Sequence, residues 1–561
     1  MKNDMLHKKL EFASVRELVE WAGRKHGSQT AYSFKRDPRK GEVTRVSFAE
    51  LRDDVRALAT AMLEMGCKGR HVALIGKLSY EWALTYFAAL SIGAVLVPLD
   101  REWTAADLAD TVRRADCELL FCDADIADKA ETVAEGMTLA APTVFLSEDG
   151  GFSALLARGR ELFEKDARAY VETRVRPGEL SLLVFTSGTT GKGKGVMLSQ
   201  TAILSDLSNV IPYIDFGKKT VGVLPPHHTY GSSVMLIGHT MIGCEVYISA
   251  GLRYITKELR EQKPEHLILV PLYLETFYRR IMATVKEQKK EALVRRMMKT
   301  SNALTHVGID LRKKLFKSVR EAFGGNIKMI ISGGAPINPE ILDFFEGLGI
   351  STLNGYGITE CAPIVAVNRS RNPVKGSVGN VLDVNYVRIK DKNEDGEGEI
   401  CVKGANVMLG YYKDEAATED AFDPDGYFRT GDYGKLEGGV LYITGRKKNL
   451  IILSNGKNVY PEEIENELIA VPGVLDIIVY EGQSKRGLSH NAIVAEIYPD
   501  KDYCTKNGIT DVYAHLKGYI DAYNKTAISY KKIGVLKVRD EEFPKNTLRK
   551  IMRFKLDMTI D

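Results

Sequence analysis

The residues best suited to chemistry lie in 181–199, SLLVFTSGTTGKGKGVMLS. A short apolar run, Leu182–Phe185, gives way to a stretch with four glycines, four hydroxyls and two lysines. Glycines at 188, 191, 193 and 195 let the backbone turn its N–H groups into a shared concavity, and Thr186, Ser187, Thr189 and Thr190 add side-chain donors. Lys192 and Lys194 supply positive charge. Such a loop after a strand is built to hold phosphate. Gly188-x-x-x-x-Gly193-Lys194 also fits a Walker A loop, but Gly195 stands where that motif needs the Ser or Thr hydroxyl for magnesium. A P-loop phosphotransferase is therefore the rival reading, and it predicts ADP and phosphate as products.

Three further polar clusters follow apolar, strand-like runs. PPHHTYG (225–231) follows Val221–Leu224, Gly333-Gly334-Ala335-Pro336 follows Met329–Ile331, and NGYGITE (354–360) follows Ile350–Leu353. Open α/β sheets bind ligands outside the carboxyl ends of their strands, so these clusters are expected to converge on one cleft.

The run TSGTTGxxKG resembles the signature loop of the adenylate-forming superfamily, which includes acyl-CoA synthetases, aryl-CoA ligases, luciferases and peptide-synthetase adenylation domains. NGYGITE, YFRTGD, ITGRKKN and PKNTLRKIMR extend the resemblance over nearly the whole chain, in the family's order. Gly193 departs from it, standing where most members carry proline, which loosens the loop while leaving Lys194 in place.

Residue by residue, the resemblance implies a phosphate loop of Thr186, Ser187, Gly188, Thr189, Thr190, Gly191 and Lys194. It implies that Tyr356 stacks on adenine and that Gly333, Gly334, Ala335, Asn354, Gly355 and Gly357 line the base and acyl sites. Thr359 would donate to the α-phosphate, and Glu360 would hold magnesium, a hard cation that prefers carboxylate oxygen. Asp432 would accept from the ribose hydroxyls, with Arg446 at ribose or phosphate. Lys550 falls on the family's bridging lysine, whose ammonium opposes the charge that builds on the α-phosphate. Lys448 falls on the pivot between the domains, Gly456 on the glycine beside the pantetheine channel, and His228 on a gate-like histidine. SNGKNVYPEEIE and the TLRKIMR ending resemble the long-chain fatty acyl-CoA synthetases, whereas Gly231 replaces the acid that branch carries in its LPLxHxYE-like segment.

The implied activity is a two-step ligation. ATP and a carboxylic acid of medium or long chain give acyl-AMP and pyrophosphate, and coenzyme A then displaces AMP. ATP, magnesium and coenzyme A are the expected cofactors. An acyl carrier protein as acceptor and a nucleotide-binding sensor without turnover are the alternatives.

Positioning so many groups takes a large scaffold. At 561 residues the chain exceeds a single core and should divide into domains. Net charge is +3, from 77 Lys/Arg against 74 Asp/Glu, so no global attraction to nucleic acid is implied. Seven cysteines without a CxxC pair read as buried or incidental thiols of a reducing compartment, with no metal site or disulfide framework. The amino terminus lacks a signal-peptide core. The uncharged run Trp82–Leu99 is broken by Gly93 and Pro98 and reads as a buried helix and strand. A cytoplasmic protein is expected.

From Arg70, short apolar runs alternate with helical periods: HVALIG, Tyr80–Ser91, AVLVPL, Ala105–Ala115, ELLFC, Ile126–Gly136, TVFL. This predicts a largely parallel sheet with helices on its faces. After Leu382 the pattern changes to short strands, with a hairpin turn at Asp395-Gly396. Beyond Leu450 comes a compact tail with a helix at Pro461–Ala470 and an apolar run at Val474–Tyr480. The expected fold is α/β: a large N-terminal domain (1–446) of helix-flanked sheets with a small β-rich subdomain, then a small mobile α+β domain (447–561). Arg279–Lys328 carries fourteen Lys/Arg against four Asp/Glu. This segment could dock weakly on anionic lipid or form a solvated helix pair.

Overall fold

The structure is a computed structural model that describes residues 4–137, 143–147, 151–186, 193–305, 308–453, 458–482, 492–545 and 551–560. A seven-stranded sheet runs in the order Gly410–Tyr411, Gly195–Ser199, Leu180–Phe185, Val95–Leu99, His71–Ile75, Cys117–Cys122, Val144–Phe145. The last five strands are parallel, and the first two continue the sheet antiparallel. The helices predicted between the parallel strands form at Tyr80–Ile92, Ala105–Arg114 and Ala127–Glu135.

The helix Tyr80–Ile92 shows why the run Trp82–Leu99 is no membrane span. Ser79 caps its first turn by accepting from Trp82 N–H at 3.0 Å, and Gly93 ends it with φ +76°. Every residue of the helix is buried, and the strand Val95–Leu99 behind it is buried throughout. A helix apolar on all sides belongs in a core. Each of Trp82, Phe87 and Leu90 adds about 1.5–3 kcal/mol by leaving water. Among the described residues, no helix is long and apolar enough to cross a membrane.

A nine-stranded sheet forms the second wall. Its parallel trio, His266–Leu269, Met329–Ser332 and Ser351–Gly357, continues antiparallel through Ile364–Val367, Gly379–Val381, Val440–Arg446, Phe428–Glu437, Gly398–Gly404 and Asn385–Lys390. The last two are the predicted hairpin, turning at Gly396 with φ +78°. A four-stranded sheet, Thr44–Ser47, Thr30–Phe34, Glu245–Ile248 and Lys219–Gly222, completes the large domain. The small C-terminal domain packs the helices Pro461–Leu468 and Val512–Thr526 with the strands Val474–Gly482, Ala492–Pro499 and Val535–Val538 over a core of its own.

Two boundaries differ from the sequence reading. The strand before PPHHTYG ends at Gly222, two residues short of Leu224. The strand Ser351–Gly357 runs on through NGYG, which therefore lies in the sheet. Gly355 and Gly357 make this possible: a Cβ at 357 would stand 2.4 Å from Pro363 O, and one at 355 would press Val367 at 3.3 Å.

Candidate active site

The strands on either side of the loop that the sequence assigns to phosphate, Leu180–Phe185 and Gly195–Ser199, pair antiparallel. Phe185 pairs with Gly195, and Thr186 N–H donates to Lys194 O at 3.0 Å. A P-loop leads from strand to helix; here a second strand, Gly195–Ser199, follows, and the Walker reading fails on topology as well as on Gly195. Ser187, Gly188, Thr189, Thr190, Gly191 and Lys192 lie outside the described residues. At the base of the loop a Cβ on Gly193 would meet Thr186 O at 2.1 Å, and Arg114 Nη2 donates to Gly193 O at 2.5 Å. Glycine at 193 thus permits a close crossing of two backbones, where the sequence suggested only a looser loop.

Lys194 is exposed, and its Nζ stands 4.6 Å from the centre of the Tyr411 ring. The Tyr411 hydroxyl donates to Glu360 Oε1 at 3.0 Å. The pairing of Gly410–Tyr411 with Met197 and Val196 brings this tyrosine beside the hairpin. Glu360 is further fixed through its backbone oxygen, which accepts Met408 N–H at 2.8 Å. Burial pushes the Glu360 carboxyl above its ordinary range. Thr359 opens the short turn Thr359–Cys361 that carries both residues.

Tyr356, Asp432 and Arg446 form a second connected group. Asp432 and Arg446 face each other on neighbouring strands, with Arg446 Nε 3.0 Å from Asp432 Oδ1, and the Tyr356 hydroxyl donates to Asp432 Oδ2 at 2.6 Å. Asp432 is only 3% exposed. Each carboxylate oxygen has two lone pairs, so both can still accept from a ligand. Burial and then the Asp432 charge push the Tyr356 phenol well up, and Asp432 holds the Arg446 guanidinium up. Glu360 lies within the fields of Arg446 and Asp432, so the two groups are electrostatically coupled.

Gly333 and Gly334 follow the strand Met329–Ser332, with Ala335 beyond them, and Gly334 takes φ +86°. A Cβ at Gly333 would stand 3.1 Å from the Tyr230 hydroxyl. That hydroxyl is buried and has no hydrogen-bond partner among the described residues. Asn354 pairs with Ser332, the residue just before these glycines, on the neighbouring strand and is half-buried. His228 packs on His227, ring centres 4.2 Å apart, and burial pulls the His227 imidazole down to about 4. Lys448 sits in the short turn Lys447–Asn449, two residues past Arg446; burial and the Arg446 charge pull its ammonium down. Gly456 and Lys550 lie outside the described residues.

The sequence missed Tyr411, Asp206 and Asn406, which follow no motif; only their strand and helix partners bring Tyr411 to Glu360 and the other two to Cys361 and Ile364 just beyond it. One buried trio, His239, Cys244 and His266, has metal-like spacing. His266 Nδ1 accepts Gly217 N–H at 3.2 Å, so its proton sits on Nε2 and points at His239 Nε2, 2.9 Å away. His239 Nδ1 in turn donates to Val234 O at 3.2 Å. The pair is hydrogen-bonded as two neutral rings, and a protonated Nε2 offers a metal no lone pair.

Residues 19–412 match the family described as AMP-binding enzyme. The chain is 27% identical to long-chain-fatty-acid–CoA ligase 5 of Mus musculus over 84% of this chain and 74% of that protein. It is 29% identical to long-chain-fatty-acid–CoA ligase FadD15 of Mycobacterium bovis, over 78% and 76%. Among solved structures, ATP-bound MatB from Rhodopseudomonas palustris superposes with a TM-score of 0.75 at 24% identity, covering 96% of this chain and 97% of that one.

Proposed function

The chain belongs to the AMP-binding enzyme family, and from that premise we propose an acid–thiol ligase that makes fatty acyl-CoA. In the first step a carboxylate oxygen of the acid attacks the α-phosphorus of ATP, forming the acyl–phosphate bond while the bond to pyrophosphate breaks. In the second, the sulfur of coenzyme A attacks the acyl carbon and AMP leaves. Activation is needed because a free carboxylate has no competent leaving group.

The observation that best supports this is the pair of hydrogen-bonded carboxylates, Glu360 and Asp432, close enough to feel each other's charge. Glu360, oriented by Tyr411 beside the phosphate hairpin, offers a hard oxygen for magnesium, which would neutralise phosphate charge. Asp432, bonded by Tyr356 and Arg446, offers acceptors to the ribose. Lys194 and Thr186 stand at the hairpin's base for the outer phosphates, Thr359 for the α-phosphate, and Tyr356 for the adenine face. Gly333, Gly334 and Tyr230 border the acyl end, with His228 as its gate. Lys550 supplies the positive charge that adenylation needs, and residues 447–561 turn about Lys448 to bring in the thiol, past Gly456.

The fatty-acid assignment rests on SNGKNVYPEEIE, TLRKIMR and the named activity of the curated relatives. The test is pyrophosphate release across fatty, aryl and short acids, with and without coenzyme A. AMP and pyrophosphate are expected, with thioester only when the thiol is present. Two added methylenes should raise kcat/KM by roughly an order of magnitude until the pocket fills. ADP and phosphate as products would overturn the reaction; benzoate- or cinnamate-like acids outperforming every fatty acid would overturn the substrate class.

The same enzyme is proposed to work in the cytoplasm and to touch anionic membrane weakly through 279–328. Leu293, Ile309, Leu311 and Leu315 are 52, 48, 39 and 40% exposed within that cationic segment, the pairing of apolar and basic groups that lipid headgroups attract. Co-flotation with phosphatidylserine vesicles but not phosphatidylcholine vesicles is expected; equal recovery with both would remove the lipid reading.

A further inference from the structure

A polar pair outside all the sequence motifs lies behind Glu360. Asp206 is on the helix Gln200–Val210, and Asn406 is on the connection between the strands Gly398–Gly404 and Gly410–Tyr411. Both are fully buried. Asn406 Nδ2 stands 3.2 Å from Asp206 Oδ1, and the same nitrogen reaches Cys361 O at 3.1 Å and Ile364 O at 2.9 Å. Asp206 Oδ2 accepts Ile364 N–H at 3.2 Å. The pair therefore grips 361–364, the segment that immediately follows Thr359 and Glu360.

Three segments of the site meet there. The helix bearing Asp206 begins where the phosphate hairpin's second strand ends. Asn406 lies five residues before Tyr411, whose hydroxyl holds Glu360. The gripped segment itself contains Ala362 at φ +61°, a left-handed conformation that a non-glycine residue keeps only when its surroundings enforce it.

A buried carboxyl without a cationic partner among the described residues is an expensive way to fill a core, and an apolar side chain would do it more cheaply. Burial pushes the Asp206 carboxyl well above its ordinary range, with Ile364 and Asn406 opposing it only in part. Such a group is explained by what it holds in place.

We propose that Asp206 and Asn406 are positioning residues for adenylation, fixing the Thr359–Ile364 segment so that Thr359 and Glu360 face the phosphate hairpin at the height set by Tyr411. This rests on Thr359 and Glu360 being the nucleotide-facing residues of the proposed ligase. It adds that their placement is set from behind, by a pair that touches no substrate.

The test compares Asp206→Ala, Asn406→Ala, the double variant and Asp206→Asn in the full chain. Each is assayed for pyrophosphate release, for thioester formation from supplied acyl-adenylate, for the magnesium concentration giving half-maximal rate, and for melting temperature. Each alanine variant should slow adenylation by about 10–100-fold, the usual effect of removing a group that orients a ligand from outside. The half-saturating magnesium concentration should rise, while the thioester step stays near the wild-type rate. The double variant should be little worse than either single one, because the pair acts as a unit. Asp206→Asn keeps the shape and one acceptor, so it should fold and show a smaller loss of the same kind. Equal losses in both half-reactions that track the melting temperature would reduce the pair to fold stability, and an unchanged magnesium dependence would overturn the positioning role. A wild-type chain that releases no pyrophosphate from any acid would instead sink the ligase reading, and this inference with it.

Discussion

Glu360 shows how much chemistry a single residue's surroundings decide. Its carboxyl is half-buried, pushed up by its partial loss of water and oriented through one oxygen by Tyr411, so the other oxygen remains for a metal. Glu360→Gln keeps the shape and removes the charge; the magnesium concentration needed for adenylation should rise, and an unchanged requirement in a metal titration would reject Glu360 as ligand. Lys550→Ala should slow acyl-adenylate formation by about 10²–10³-fold and affect thioester formation from supplied acyl-adenylate far less; rapid-quench assays of the two half-reactions separate these outcomes. Glu360, the phosphate-loop hydroxyls and Lys194 stood out in the sequence because each sits in a short glycine-bearing run beside a strand, whereas Lys550 stood out only through the resemblance of PKNTLRKIMR. Tyr411 was not. It reaches Glu360 only because Gly410–Tyr411 pairs with Val196 and Met197, and pairing between residues so far apart leaves no local mark. Asp206 and Asn406 were hidden for the same reason: single polar residues in apolar or mixed segments, meaningful only once packed together.

At the level of elements, periodicity predicted the parallel sheet and its helices closely, because strands buried on both faces and helices of fixed period write themselves into short windows. It erred where glycine takes over. NGYG was read as a loop after a strand, yet the strand continues through it, since Gly357 lets the Pro363 carbonyl approach closer than a Cβ allows and Gly355 leaves room for Val367. The turn Lys447–Asn449 carries the proposed pivot, Lys448. Lys448→Pro fixes φ at the pivot, so acyl-adenylate should form and accumulate while thioester production fails; wild-type thioester output in a coupled assay would place the hinge elsewhere. The helical segment bearing His239 is tied to the strand His266–Leu269 by the two stacked, neutral imidazoles. Burial holds His239 down to about 4 and His266 well below its usual value. The unfolded chain binds protons that the native pair refuses, so their contribution is whole above about pH 6.5. It is lost as pH falls from there through about 4. Melting temperature should therefore decline across that window, and His239→Gln should flatten the decline; an unaltered slope would show that other groups drive it.

At the scale of the whole molecule, charge counting placed Arg279 and Lys286 in one cationic face, but folding divides that face. Arg279 Nη2 donates to Leu475 O at 3.4 Å, and Lys286 Nζ donates to Asn507 Oδ1 at 2.8 Å and stands over the Tyr503 ring at 5.2 Å. The helix Pro271–Glu287, which follows directly on a strand of the nine-stranded sheet, thus docks the small domain. Beside these contacts Glu275, its carboxyl pushed up by burial, lies in the fields of Arg279, Asp476 and Lys545, the last two bridged at 2.6 Å. Lys545 precedes Lys550 by five residues. Lys550 itself lies outside the described residues. Two partly exposed polar contacts contribute roughly 0.5 kcal/mol each, so Arg279→Ala with Lys286→Ala should shift the docking equilibrium by about fivefold. On the proposal that this docking serves the first step and that the small domain turns away for the second, adenylation should slow by about that factor, while thioester formation from supplied acyl-adenylate holds or quickens. Half-reaction rates measured side by side decide it. Equal slowing of both steps would mean that the contacts stabilise the fold alone, and no change in either would mean that the small domain is seated by its apolar packing and not by these two cations.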